Sequence, residues 1–175
     1  MASRKVIVIG DPGVGKTSLV RRLVHREFRA GYISTFGVDI YTYVVEIPAP
    51  ARSAYDGATE LRLMIWDTQG DLGVNVFKHP HGQGASAALI VADVTSPATH
   101  QTLLTLATGF DERYPGRPFT LVFNKRDLLD GAQEFQLPPG CDPARHSIIV
   151  TSAKTGERVA QTFEETAVSL IRRGL

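Results

Sequence analysis

Gly10-Asp11-Pro12-Gly13-Val14-Gly15-Lys16-Thr17 is the segment whose residue types and spacing most plainly specify chemistry. It fits the pattern G-x-x-x-x-G-K-[ST] and joins an apolar stretch, Lys5 to Ile9, to an amphipathic one that begins inside the loop. A strand, a glycine loop and a helix in that order give the pattern its meaning. Glycines let successive backbone N–H groups curl around phosphate oxygens, and the helix start adds partial positive charge. The candidate phosphate ligands are Gly13, Val14, Gly15, Lys16, Thr17 and Ser18. Lys16 would neutralise the β- and γ-phosphates, and the Thr17 hydroxyl would bind Mg²⁺. The bland alternative is a strand–turn–helix junction with a chance lysine, and the run of matching positions in the right context counts against it. The loop alone does not choose between ATP and GTP, or between a kinase, an ATPase and a switch.

Two further segments each follow an apolar, strand-like stretch: Asn124-Lys125-Arg126-Asp127 and Thr151-Ser152-Ala153-Lys154. With these added, the chain resembles the Ras-superfamily small GTPases, most nearly the Rab branch, over almost its whole length. The resemblance implies a guanine nucleotide, GTP or GDP, held with Mg²⁺. Asp127 would accept hydrogen bonds from the guanine N1–H and 2-amino groups. Adenine lacks that donor pair, and a buried carboxylate left unpaired is enough for discrimination of about 10⁴. By the same resemblance Asn124 braces the pocket, the Lys125 stem covers one face of the base, and the Ala153 N–H meets the guanine O6, with Ser152 and Lys154 in the same motif. Phe28 matches an aromatic packed edge-on beside the base.

Tyr32 to Asp39 looks like the Rab form of switch I, in which Thr35 binds Mg²⁺ through its hydroxyl and the γ-phosphate through its N–H only while GTP is present. Trp66-Asp67-Thr68-Gln69-Gly70 resembles D-x-x-G: Asp67 would hold Mg²⁺ through a water, and the Gly70 N–H would touch the γ-phosphate. Here the chain departs from the family. Where the family commonly reads Ala-Gly-Gln, the glutamine positioning the attacking water, this chain reads Gln69-Gly70-Asp71. An ionised Asp71 about 5 Å from the γ-phosphate would be repelled by about 3 kcal/mol at an effective dielectric near 20, so it should swing away or be paired. Gln69 would need a reshaped loop to replace the missing glutamine. Intrinsic hydrolysis is therefore expected to be slow. Pro12 is a second departure, standing where the family has a small residue.

These groups need elements to place them. Lys5 to Ile9, Ala87 to Ala92, Thr120 to Phe123 and Ser147 to Val150 read as buried parallel strands, being short, continuous and rich in Val, Ile and Leu. Leu19, Val20, Leu23 and Val24 share one face of a helix; Leu103, Leu106 and Phe110 do so between Pro97 and Arg113; Val159, Phe163, Ala167 and Leu170 do so from about Gly156 to Arg172. Val38 to Ile47 and Leu61 to Trp66 flank a turn-rich connection, Pro48-Ala49-Pro50 and Tyr55-Asp56-Gly57, and read as an antiparallel pair. The expected fold is α/β: a three-layer P-loop G domain with a mostly parallel six-stranded sheet and one antiparallel edge strand, as a single domain over residues 1–175. Leu72 to Gly84 lacks the family's polar switch II helix, and Gly73, Pro80, Gly82 and Gly84 favour a loop with at most a short helix. His79 and His81 could suggest a metal pair, but without a carboxylate or cysteine cluster beside them they read as loop histidines. Gly131 to Pro143 is too rich in breakers for a full helix.

The bulk numbers exclude more than they assign. At 175 residues, with 43% hydrophobic and 21% charged, the chain is ordinary globular material. Nineteen basic against eighteen acidic residues leave +1, which gives no general attraction for nucleic acid or anionic lipid. The single cysteine, Cys141, excludes an internal disulfide and fits a reducing compartment. No signal peptide, membrane span or terminal prenylation cysteine is visible, so a cytoplasmic protein without a direct membrane anchor is expected. Three functions compete. The first is a GTPase switch whose effectors and activating or exchange proteins meet switch I, Trp66 and switch II. The second is a non-hydrolysing nucleotide-binding scaffold. A small-metabolite kinase comes last, since it leaves Asn124 to Asp127 without a role. Trp66, with Val38 or Ile40, reads equally well as part of a docking surface or as core.

Overall fold

The computed structural model describes residues 2–28, 37–47, 49, 59–130 and 135–175. Among the described residues there are six strands: β1 (Ala2–Gly10), β2 (Val38–Glu46), β3 (Glu60–Thr68), β4 (Ala87–Asp93), β5 (Phe119–Asn124) and β6 (Ser147–Val150). They form one sheet in the order β2-β3-β1-β4-β5-β6. Every neighbouring pair is parallel except β2 with β3, which run antiparallel from Val38 opposite Thr68 to Glu46 opposite Glu60. The expected mixed sheet with one antiparallel edge is therefore the one observed.

Three helices cover this sheet: α1 (Lys16–His25), α2 (Pro97–Arg113) and α3 (Val159–Arg172). All of β4 and the second half of β1 are buried, which is why their apolar runs are continuous rather than alternating. Successive strand residues point to opposite faces. Val6, Val8, Leu89 and Val91 pack with Leu19, Val20 and Leu23 of α1 and with Phe163, Ala167 and Leu170 of α3. On the other face Ile7, Ile9, Ile90 and Phe123 pack with Leu103, Leu106 and Phe110 of α2. Phe110, Phe123 and Phe163 are fully buried, and each contributes roughly 1.5–3 kcal/mol through the apolar area it withdraws from water.

Differences from the sequence expectation are local and have backbone causes. The last helix begins at Val159 rather than near Gly156, because Gly156 (φ 90) and Arg158 (φ 54) are left-handed and cannot lie in a right-handed helix. Among the described residues, β5 and β6 are joined through a single 3₁₀ turn, Arg126–Leu128, as the breakers in that stretch imply. In β3, Leu61, Leu63 and Ile65 are buried while Arg62 and Met64 are exposed, so the alternation sets the inward face. Thr35 with the rest of 29–36, most of the connection at 48–58, and 131–134 lie outside the described residues.

From β1 the chain turns one way to β3 and then returns past β1 to β4. Ligands of open α/β sheets bind beyond the carboxyl ends of the strands at such a reversal. Gly10, Asp93, Asn124 and Val150 end their strands there, and the candidate motifs follow three of those strands.

Candidate nucleotide site

Beyond Gly10 the backbone enters α1 through Gly15, whose φ of 98 only glycine adopts without strain. A Cβ there would also lie 2.3 Å from Asn124 Nδ2, so the phosphate loop and the Asn124 segment touch at a position with no room for a side chain. No side chain among the described residues caps α1, which leaves its first-turn N–H groups to an anion. Lys16 is only 6% exposed, and its Nζ donates to the carbonyls of Gly10 (3.0 Å) and Asp11 (2.8 Å). Burial pushes its pKa down to about 8, against the pull of Asp67, Asp11 and Asp71. An ammonium held this way inside a loop of N–H donors fits a phosphate, whose negative charge relieves its desolvation.

Two of the three metal candidates, Thr17 and Asp67, lie in contact; the third, Thr35, is outside the described residues. Thr17 Oγ1 donates to Asp67 Oδ2 at 2.5 Å, joining α1 to the end of β3. Asp67 is fully buried, and its Oδ1 has no hydrogen-bond partner among the described residues. Burial raises its pKa to about 6, opposed by the Thr17 hydrogen bond and the Lys16 charge. A buried carboxylate with an orphaned oxygen, beside a hydroxyl, is an oxygen donor set that a hard divalent cation such as Mg²⁺ would satisfy. The residues present fit that metal.

On the base side Asn124 is a hub. Its Nδ2 donates to the Val14 carbonyl (3.0 Å), while its Oδ1 accepts from the Thr151 hydroxyl (3.2 Å) and the Ala153 N–H (3.0 Å). These contacts join the phosphate loop to the base loop through one side chain. The Ala153 N–H, expected to meet guanine O6, is directed at Asn124 in this structure. Asp127 Oδ1 accepts from the Ser152 hydroxyl at 2.5 Å, and Lys154 Nζ lies 3.7 Å from Oδ2. Lys125 sits in the left-handed region (φ 70), and its Nζ pairs with Asp93 Oδ2 at 2.7 Å. That contact stretches its stem between β5 and the end of β4. Phe28 is exposed, and its ring makes no ring–ring contact among the described residues.

Two contributors were missed from sequence. Asp93 anchors Lys125 and accepts from the Thr95 N–H (2.9 Å) and hydroxyl (2.7 Å). Burial pushes this carboxyl up, but Lys125 and Thr95 outweigh it and hold the group below its ordinary value. Arg22, in the last turn of α1, donates from Nε to the Ala153 carbonyl (2.8 Å) and from Nη2 to the Lys154 carbonyl. It ties the helix behind the phosphate loop to the base loop. Asp-x-Thr at a strand end was a usable signal for the first, whereas nothing local marks the second.

The catalytic segment is rearranged around Gln69. Its N–H donates to the Gly37 carbonyl (3.1 Å), its Oε1 accepts from the Gly37 N–H (3.3 Å), and its Nε2 donates to Asp71 Oδ2 (2.8 Å). Asp71 is thus paired, and Gln69 links the two switch segments. A Cβ on Gly70 would lie 2.5 Å from Pro12 N and 2.7 Å from Lys16 Nζ, so glycine there lets β3's end press against the phosphate loop. Gly70–Phe77 forms a 3₁₀ segment broken at Gly73 (φ 49, ψ −139). Its apolar character has a cause: Val76 and Phe77 are buried, Phe77 lying against Phe110 (6.1 Å) and Tyr114 (6.4 Å) near α2. His79 and His81 stack at 4.2 Å, and among the described residues no cluster of three or more His, Cys, Asp or Glu gathers around them. Trp66 is half-buried beside the α2 core, with Lys5 Nζ 3.6 Å over its ring. Ile40, paired opposite it, is 50% exposed, and Val44 and Met64 extend the same apolar face.

The sheet, the phosphate loop on its reversal point and the braced Asn-Lys-x-Asp loop define a P-loop nucleotide-binding fold of the GTPase type. The Ras family model matches residues 5–172, and the chain belongs to that family. It is similar to the Ras-related protein Rab-17 of Homo sapiens, 30% identical over 173 residues that cover 97% of this chain and 77% of that protein. It is equally similar to the Ras-related protein Rab-4B of Rattus norvegicus, at 30% identity with 97% of this chain and 76% of that protein covered. The Ypt/Rab-type GTPase YPT7 of Saccharomyces cerevisiae is 30% identical with 97% and 82% covered. The chain is a Rab-like small GTPase, as its motifs indicate.

Proposed function

We propose that this chain is a guanine-nucleotide switch that binds GTP and GDP with Mg²⁺ and hydrolyses GTP slowly by itself. Guanine is selected by Asp127, steadied by Ser152, with Asn124, Lys125, Ala153 and Lys154 shaping the pocket. Gly13 to Ser18 and Lys16 hold the phosphates. Thr17 and Asp67, with Thr35 in the GTP form, hold Mg²⁺, which when bound supplies charge neutralisation at the β- and γ-phosphates. Hydrolysis transfers the γ-phosphoryl group to water, breaking the bond to the β–γ bridging oxygen and releasing GDP. What it needs from the protein is an oriented water and neutralised charge. The observation that carries slow hydrolysis is the Gln69–Asp71 contact at 2.8 Å. It occupies the amide that would have to replace the family's glutamine, and it leaves a carboxylate in the glutamine's place.

Single-turnover hydrolysis of pre-loaded GTP tests this. Asp71→Gln should raise the rate about tenfold or more, the effect of removing roughly 1.4 kcal/mol or more of unfavourable interaction. An equal or slower rate would show that another group positions the water. Background turnover with tight GTP retention would favour a non-hydrolysing scaffold. Nucleotide extracted from the purified protein should be GDP or GTP, and equal retention of adenine nucleotides would overturn the pocket assignment. Effectors and regulators are proposed to meet the exposed face of Ile40, Val44 and Met64 beside Trp66.

A further inference from the structure

At the end of the sheet opposite the nucleotide motifs, a cleft of about 470 Å³ opens between the C-terminal ends of α2 and α3 and the starts of β5 and β6. Three guanidiniums line it, Arg117, Arg145 and Arg173, against a single carboxylate, Asp111. A chain that carries only +1 overall therefore concentrates two net positive charges, three arginines less one aspartate, in one concave site. Two of the arginines are fixed by backbone carbonyls. Arg173 Nη1 donates to Gly116 O at 2.9 Å, and Arg117 Nη1 donates to Ala85 O while its guanidinium lies 5.0 Å from the Tyr114 ring centre. Each contact engages one of a guanidinium's five N–H donors. The side chains of the other two basic groups make no such hydrogen bond among the described residues. The Arg145 side chain has no partner among the described residues, and His146 packs on Phe119 with its Nδ1 buried and without a hydrogen-bond partner.

We propose that this cleft binds a small phosphorylated polyol, either free or as a lipid headgroup. Preset arginine forks match phosphate oxygens two at a time. Ser147 and Ser169 add hydroxyls, and Asp111 can lie beside the ligand only where it accepts from ligand hydroxyls. Inorganic phosphate offers Asp111 at most a P–OH group and fills little of the cleft, whereas a phosphorylated ring of hydroxyls presents donors to Asp111 and phosphate oxygens to the arginines together. A half-open cleft of about 470 Å³ suits a headgroup-sized molecule rather than a folded partner. Arginines acting only to tie down the loop carbonyls of Ala85 and Gly116 would account for Arg117 and Arg173 but leave Arg145 and His146 without a role.

Calorimetry on the full chain loaded with GDP tests the site, with inositol trisphosphate as the soluble probe and phosphatidylcholine vesicles containing phosphatidylinositol bisphosphate as the lipid probe. Arg145→Ala, at an exposed loop position, should weaken binding about tenfold or more, and His146→Gln should add to the loss. GDP affinity, measured in parallel, should not change in either variant, so a failure here is separable from a failure of the nucleotide assignment. Binding to vesicles well above the soluble probe identifies a lipid source, and binding to the soluble probe alone a free one. No binding of either probe up to about 1 mM, or binding that Arg145→Ala leaves intact, overturns the proposal.

Discussion

Asn124 offers the sharpest test of how the site is held together. The side chain is 1% exposed and ends a strand, yet it bonds to the phosphate loop at Val14 and to the base loop at Thr151 and Ala153. Asn124→Ala removes three buried hydrogen bonds at once. Each contributes about 1 kcal/mol net, and stranding the Val14 carbonyl and the Ala153 N–H in a dry site adds up to about 1 kcal/mol apiece. The expected loss is about 3–5 kcal/mol, a large share of the roughly 5–15 kcal/mol that keeps a domain folded.

Urea unfolding with GDP and Mg²⁺ held at one saturating concentration reads this loss together with any weakening of GDP binding, because the linkage follows affinity as well as concentration. With a slope of about 2–3 kcal/mol per molar urea, the midpoint should fall by about 1–2 M. GDP release, followed by fluorescence of a labelled nucleotide, should accelerate at least about tenfold, since both walls of the pocket lose their common anchor. Asn124→Asp separates the contributions. It keeps acceptors for Thr151 and Ala153 but sets an oxygen against the Val14 carbonyl, so it should lose about 2–3 kcal/mol. A loss below about 1 kcal/mol in the alanine variant, with unchanged GDP release, would refute the view that these bonds join the two loops.

Two other substitutions probe neighbouring contacts. Asp93's carboxyl sits below its ordinary value in the folded chain, so its stabilising contribution is full above about pH 4 and is lost as pH falls through the folded value. Asp93→Asn should therefore be less stable at neutral pH and show a flatter acid limb, read from unfolding midpoints across pH 3–7; a parallel acid limb would remove Asp93 from the account. Gly70→Ala places a methyl 2.5 Å from the Pro12 nitrogen and must push the end of β3 off the phosphate loop. GTP affinity should fall about tenfold or more relative to GDP, and equal losses for both would show that Gly70 has no particular role at the γ-phosphate.

Most of the sheet was legible because burial on both faces leaves a simple trace. Val6 to Ile9 and Ala87 to Ala92 are apolar throughout, and only a covered strand tolerates that. The antiparallel edge was legible for the opposite reason, since Leu61, Leu63 and Ile65 alternate with residues that face out. The phosphate and base loops were legible because glycine, lysine, asparagine and aspartate at fixed spacing have few substitutes in those backbone positions. Contacts that depend on distant segments left no trace of this kind. Arg22 reaches 131 residues along the chain to Ala153, and its own helix shows only a basic residue near a C-terminus. Trp66 was ambiguous for a similar reason. Its half-burial depends on Lys5 in β1 and on the α2 core, neither of which its own strand pattern records.

The catalytic segment shows where local reading reaches its limit. Electrostatics required that Asp71 leave the γ-phosphate or find a partner, and the order Gln69-Gly70-Asp71 does not say which. The structure answers through a residue that sequence comparison treats as a possible stand-in for the lost glutamine. Gln69 holds Asp71 with its amide nitrogen and Gly37 with its amide oxygen and backbone. Both ends of that side chain are therefore engaged, and freeing it to orient water would strand the carboxylate and uncouple the switches. A side chain that bridges the two switch segments and one that positions the nucleophile make incompatible demands on the same amide. That conflict, more than the bare presence of an aspartate, is the physical ground for expecting slow turnover.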